Sequence, residues 1–231
     1  MIDSHSHILP EMDDGSGSVD ESLRMTEAYS DRVTDIFLTP HFYPTEENPD
    51  DFFERREASA AKLRNALEGK SAIKFHLGAE VAYFNGIHAS ESMERFRIEG
   101  TRLLLVEMPM REWNARMFDE LVELNRNLGL RPVLAHIDRY NFAKGRIRRY
   151  LEYYLENRGL VQVNAEAMAA MFSRRTAISM IRAGAIHFMG SDCHNTGSRR
   201  PNYDEAIDRI IKSGAEDVLD IIYNNEKTFI Q

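Results

Sequence analysis

Six of seven short apolar runs in this chain end at, or lead within a few residues to, a histidine or carboxylate that is a candidate metal ligand, and that recurrence limits the folds open to it. The runs are Met1–His5, Asp35–Thr39, Ile73–Leu77, Leu103–Glu107, Pro132–His136, Leu160–Asn164 and Ala185–Met189. His5 and His7 close the first, His41 follows the second and Glu80 the third. Glu107 ends the fourth, His136 ends the fifth, and Asp192 with His194 follows the seventh. Between the runs lie segments with helical apolar spacing, such as 51–67, 114–128, 146–156 and 176–183; Gly129, Gly159 and Gly184 stand where C-caps fall. Runs such as Leu103–Val106 are apolar at consecutive positions, as parallel strands covered on both faces are. An open doubly wound sheet shares this alternation. It would, however, spread the polar residues along a line, whereas a parallel barrel gathers the strand ends on one face. The expected fold is therefore α/β, a distorted TIM-like barrel of seven β/α units. The polar, proline-bounded segment Tyr43–Pro49 is expected to form a mobile lip.

A chain of 231 residues suffices for one such barrel, and no linker or repeat divides it, so residues 1–231 are expected to form a single domain. The formal net charge of −8 argues against a nucleic-acid partner. Met1-Ile2-Asp3 leads directly into the histidine pair, leaving no room for a signal peptide, and no apolar run reaches the roughly 20 residues of a membrane span. A single cysteine, Cys193, excludes an internal disulfide. A cytoplasmic protein without membrane insertion is expected; oligomeric state is not legible.

His5 and His7, spaced i, i+2 on a strand, share a face. Imidazole with carboxylate and no thiolate suits hard-to-borderline divalent cations such as Mn, Fe or Zn. Asp13 and Asp14 compete for the next ligand position. His76 and His187 lie inside strands and His88 in a helical segment, so all three read as structural. Cys193 and Arg199 satisfy the C-x5-R spacing of thiolate phosphatases, yet Asp192 beside the thiol would raise its pKa, and the loop glycine falls one place late. Arg139 and Arg199 closely follow two proposed ligands and suit the non-bridging oxygens of a phosphate; Arg200 is the weaker neighbour.

Taken together, Met1-Ile2-Asp3-x-His5-x-His7-Ile8-Leu9-Pro10 with Asp13-Asp14-Gly15, Thr39-Pro40-His41, Gly78-Ala79-Glu80, Glu107-Met108-Pro109, His136-x-x-Arg139-Tyr140 and Ser191-Asp192-x-His194-Asn195 resemble the PHP (polymerase and histidinol phosphatase) superfamily. Within it the chain is most similar to bacterial CpsB/CapC-type tyrosine-protein phosphatases, from Met1 to about Tyr223. It departs at Ile137-Asp138, where that group usually shows proline-glutamate, a change that touches loop shape and not the ligands. The resemblance implies three divalent ions, Mn2+ by preference with Fe, Zn or Mg as alternatives. One would be held by His5, His7, Glu80 and Asp192, a second by Glu80, Glu107 and His136, and a third by Asp14, His41 and His194. It further implies in-line attack of an activated water on phosphotyrosine, with Arg139 and Arg199 binding the phosphate, a nearby metal or His41 assisting the leaving group, and no phosphoenzyme required. The implied partner is a tyrosine kinase tail of capsule or exopolysaccharide synthesis. A histidinol-phosphate or nucleotide phosphatase, or a non-enzymatic regulatory subunit that keeps its metals for stability, are the alternative readings.

Overall fold

A computed structural model describes residues 1–110, 113–140 and 145–229. Its strands are β1 (Ile2–Ser6), β2 (Asp35–Leu38), β3 (His41–Phe42), β4 (Lys74–Leu77), β5 (Glu80–Ala82), β6 (Leu103–Glu107), β7 (Arg131–Leu134), β8 (Leu160–Asn164) and β9 (Phe188–Gly190). The helices are α1 (Val19–Glu27), α2 (Pro49–Leu67), α3 (Ala115–Leu128), α4 (Gly145–Glu156), α5 (Met171–Arg182), α6 (Tyr203–Lys212) and α7 (Asp217–Phe229).

Every strand pairing is parallel, in the orders β1-β2-β4 and β3-β5-β6-β7-β8-β9. β3 and β5 continue β2 and β4 beyond short breaks at Thr39-Pro40 and Gly78-Ala79. Pro40 has no N–H to give to a ladder, and at Gly78 a Cβ would stand 2.3 Å from Ile98 Cδ1, so the chain bends close to its neighbour there. Backbone bonds from Thr39 N to Ser6 O (2.9 Å) and from Gly78 N to Leu38 O (2.9 Å) carry the pairing across the breaks. His41 and Glu80 were expected to follow their strands. Instead they open β3 and β5, directly paired with each other in register.

The sheet curls until its ends meet. Ser6 bridges Cys193, His7 N donates to Cys193 O (2.9 Å) and Asp192 N donates to His5 O (2.8 Å). The result is the expected distorted barrel, a curled parallel sheet flanked by helices. Phe37, Leu103, Leu105, Val133, Leu160 and Phe188 fill its inside, while Leu104, Val106, Val161 and Val163 face the helices. The period of two that points Leu103 and Leu105 inward also points Glu107 inward.

Helix limits follow their caps. Asn114 accepts from Met117 N and Gly129 at φ 63° ends α3, whose Phe118, Leu121 and Leu124 are fully buried; each contributes about 1.5–3 kcal/mol. Asn48 and Pro49 start α2 two residues ahead of the apolar pattern. α5 begins at Met171 and not Thr176, because its first turn leaves Met171 and Phe172 exposed and carries no apolar period.

One buried carboxyl lies away from the polar end of the barrel. Burial pushes Glu226, on α7, up to about 7 against the pull of the N-terminal ammonium. An acid whose folded pKa is raised stabilises the fold below its ordinary value and loses that contribution as pH climbs through the folded value. Glu226→Gln should therefore be more stable than the parent at pH 8, by up to about 3 kcal/mol, with the difference vanishing near pH 4.5. Thermal melts of both proteins across that range check this.

Candidate metal centre

His5 and Glu107 near the ends of their strands, His41 and Glu80 at the starts of theirs, and His7, Asp14, His136, Asp192 and His194 in the segments that follow strands gather around one cluster. Gly15 lets the first turn fold back on β1, since a Cβ there would lie 2.4 Å from His7 O. His136 and Asp192 hold φ of 32° and 52°, left-handed values that non-glycine residues adopt at a cost of order 1–3 kcal/mol. Two site residues are thus held in strained backbone. His136 stands just past β7 and not within it, as the start of the turn Ile137–Arg139.

Glu80 is the hub. It is 1% exposed, and its Oε2 lies 3.0 Å from His5 Nε2, 3.3 Å from His7 Nε2 and 3.1 Å from His41 Nδ1. Its Oε1 lies 2.7 Å from His136 Nε2, which is 3.6 Å from Glu107 Oε1. His5 Nε2 and His7 Nε2 are 3.0 Å apart. Donor atoms about 2.1 Å from a shared ion lie about 3.0 Å apart at right angles and about 3.4 Å apart at the tetrahedral angle. The observed spacings fit a shared cation. Among the described residues His194 Nε2 is buried without a hydrogen-bond partner, and His41 Nδ1, though close to Glu80, makes no aligned hydrogen bond, as unused ligand atoms would do.

Three groupings place their donor atoms close enough to hold an ion: His5, His7 and Glu80; His7, Asp14, His41 and His194; and His41, Glu80 and Glu107. They suit a trinuclear divalent centre. The grouping differs in part from the expected partition. His7 also joins the Asp14 set, and His41, with Glu80 on one ring nitrogen and Asp14 3.6 Å from the other, joins Glu80 and Glu107, beside which His136 Nε2 also stands, 3.6 Å from Glu107 Oε1. Asp192 Oδ1 stands 3.7 and 3.5 Å from His5 and His7 Nε2.

Asp13 and Asp14 take different positions. Asp13 sits behind His7, 2.7 Å from its Nδ1, and accepts from the backbone N of His41 and Gly15. Asp14 faces the cluster, 3.4 Å from His194 Nε2. A carboxylate on the far nitrogen of a ligating histidine fixes its ring and its tautomer. Burial alone would lower the His7 pKa, but Asp13 and Glu80 overcome it and raise the ring to about 10. The field that holds a proton there equally attracts a metal cation. Burial opposes the charge on Glu80 too, yet His5 and His136 keep it well below the usual carboxylate range.

Arg139 pairs with Asp192 Oδ2, and Arg199 Nη2 lies 2.9 Å from Asp192 Oδ1. Both are about a third exposed, at 31% and 34%, so each guanidinium spans the buried cluster and the solvent. Arg200 turns away to Glu205. His76 pairs with Asp35, His88 lies near Glu120 and Glu123, and His187 packs beneath β8; all three are apart from the cluster. Cys193 is fully buried, and burial with Asp3 nearby pushes its thiol up to about 12. It is no nucleophile at neutral pH.

The whole sequence, residues 1–231, matches the family described as capsular polysaccharide synthesis, CpsB/CapC. The chain belongs to the CpsB/CapC family. Relatives within it are tyrosine-protein phosphatases, and the chain is a phosphatase of this family. It is 28% identical to the tyrosine-protein phosphatase CpsB of Streptococcus pneumoniae, over 100% of this chain and 98% of the relative. It is 27% identical to the tyrosine-protein phosphatase YwqE of Bacillus subtilis, over 90% and 82%. The crystal structures of YwqE and S. pneumoniae CpsB, described as unique metal-dependent tyrosine phosphatases, supply a chain that superposes with a TM-score of 0.82 at 22% identity, covering 100% of this chain and 94% of that one. The histidinol phosphate phosphatase of Lactococcus lactis, solved with zinc, L-histidinol and phosphate, shares the fold at a TM-score of 0.58 and 12% identity, over 94% of each chain.

Proposed function

We propose that this CpsB/CapC member hydrolyses phosphotyrosine on a protein, a tyrosine kinase tail of capsule or exopolysaccharide synthesis, using three divalent ions, Mn2+ by preference. The observation that carries the reading is Glu80, one buried carboxylate within 3.3 Å of the ring nitrogens of His5, His7, His41 and His136, with two arginines converging on the neighbouring Asp192. In this reading the ligands are His5, His7, Asp14, His41, Glu80, Glu107, His136, Asp192 and His194. Ions bound there supply the charge that acidifies water to near neutral pH and neutralises the phosphoryl oxygens. Arg139 and Arg199 exchange the Asp192 carboxylate for the non-bridging phosphate oxygens, a planar, bidentate match that stabilises charge in the transition state.

A leaving phenolate, whose conjugate acid has a pKa of about 10, needs less proton assistance than an alkoxide. A nearby ion, or His41 through a ring nitrogen that holds no ion, would give that assistance. Tyr43 supports an aromatic substrate: it stacks on His41 with ring centroids 5.1 Å apart and keeps one side open to solvent. Among the described residues no helix is long and apolar enough to cross a membrane, in keeping with action in the cytoplasm.

The deciding experiment compares a phosphotyrosine peptide with histidinol phosphate and a nucleoside monophosphate, with Mn2+ present. The peptide should give the highest kcat/KM, and Cys193→Ser should retain most of that activity. Preference for histidinol phosphate or the nucleotide would overturn the substrate class. No hydrolysis of any phosphoester by metal-loaded protein would support the regulatory alternative. Loss of activity in Cys193→Ser, with metal content intact, would restore the thiol mechanism.

A further inference from the structure

β8 contributes no residue to the proposed ligand set, yet its inward face carries Gln162 and Asn164, both buried, where the flanking position is Leu160. The two amides touch both ends of the cluster. The backbone N–H of His136 can only donate, so the Gln162 atom 2.5 Å from it is the carbonyl Oε1. That leaves Gln162 Nε2 as the donor to Asn164 Oδ1 (3.1 Å) and to Val163 O (2.8 Å). Asn164 Oδ1 is then an acceptor, and its Nδ2 donates to Asp192 Oδ2 (2.8 Å). Every link has one possible polarity. The chain of bonds runs from the strained backbone of His136 to the carboxylate of Asp192, itself strained, across the width of one strand and the next. A second tie completes the clamp: the backbone N of Asn164 donates to Asp138 Oδ1 (2.8 Å), on the same turn as His136. Gly190 keeps the chain packed, since a Cβ there would stand 2.8 Å from Gln162 Nε2.

We propose that Gln162 and Asn164 are positioning residues of the metal centre, a directional amide relay that holds the His136 turn and aims the Asp192 carboxylate. The relay rests on the metal reading above. Asn164 holds Oδ2 of Asp192 beside Arg139, which turns Oδ1 toward His5 and His7, where its other partner is Arg199, the guanidinium that the proposed function hands to phosphate. Hydrogen bonds to ligands from the layer behind them set ligand orientation, and their loss typically weakens metal binding about 10–100-fold.

The test titrates Mn2+ into metal-stripped parent, Asn164→Ala, Gln162→Ala and the double variant by calorimetry, with thermal melts to confirm folding. Each single variant should bind at least one Mn2+ about 10–100-fold more weakly, and the Mn2+ concentration that half-activates phosphatase turnover should rise in step. Links of one relay are not independent, so the double variant should lose little more than the worse single one. Asn164→Asp keeps the shape and the acceptor for Gln162 but sets an oxygen against Asp192, and should weaken Mn2+ binding comparably even where Asn164→Ala is too unstable to measure. Folded variants with the parent's Mn2+ affinity, or fully additive losses in the double variant, would overturn the relay. A parent protein that binds no Mn2+ or other divalent ion would instead overturn the metal reading on which it rests.

Discussion

Glu80→Gln protein should lose about 10²–10³-fold or more in affinity for its divalent ions, and phosphatase turnover should fall with it. The carboxylate is 1% exposed and faces ring nitrogens of His5, His7, His41 and His136. The amide keeps the volume and removes a charge that all four rings share. Breaking a buried charge pairing from one side costs about 3–5 kcal/mol, because the remaining charges stay buried and uncompensated. Treating the parent with EDTA should abolish hydrolysis in the same way, with one difference. Mn2+ added back should restore the parent and leave Glu80→Gln impaired. Elemental analysis of both proteins, paired with phosphate release from a phosphotyrosine peptide, reads the result. Full activity in chelated, metal-free parent would end the metallophosphatase account.

The arginines carry the second large effect. Arg139→Ala and Arg199→Ala should each lower kcat by about 10²-fold, as removal of one preorganised donor to developing charge does, while bound metal stays at the parent's level. Both guanidiniums meet at Asp192, one on each oxygen, and each is about a third exposed. They are placed to turn from a buried carboxylate to an incoming phosphate without leaving the site. Arg200→Ala, whose side chain pairs with Glu205, is the internal control and should change little. Loss of metal from the Arg139 or Arg199 variants would assign those side chains to ion retention instead of phosphate binding.

Much of this was legible from residue order because parallel strands and their ends obey simple periods. Leu103–Glu107 and Leu160–Asn164 form strands with the expected limits. The alternation that buries Leu103 and Leu105 delivers Glu107 to the cluster. Three things were not legible. The breaks at Pro40 and Gly78 depend on contact with a neighbouring strand and with Ile98, which no local pattern reports. Asp13 and Asp14 are adjacent and alike; only the fold decides which one reaches His7 from behind. Gln162 and Asn164 carry no charge and match no ligand spacing. Their one signal is polarity on the inward face of an otherwise apolar strand.

The seam where Ser6 meets Cys193 has a wider consequence. The backbone that zips the first strand to the last also carries His5, His7 and Asp192. Candidate ligands thus stand on both margins of the closure, so divalent ions bound there would fasten the ends of the sheet to each other, and removing them would loosen the seam before it idled the site.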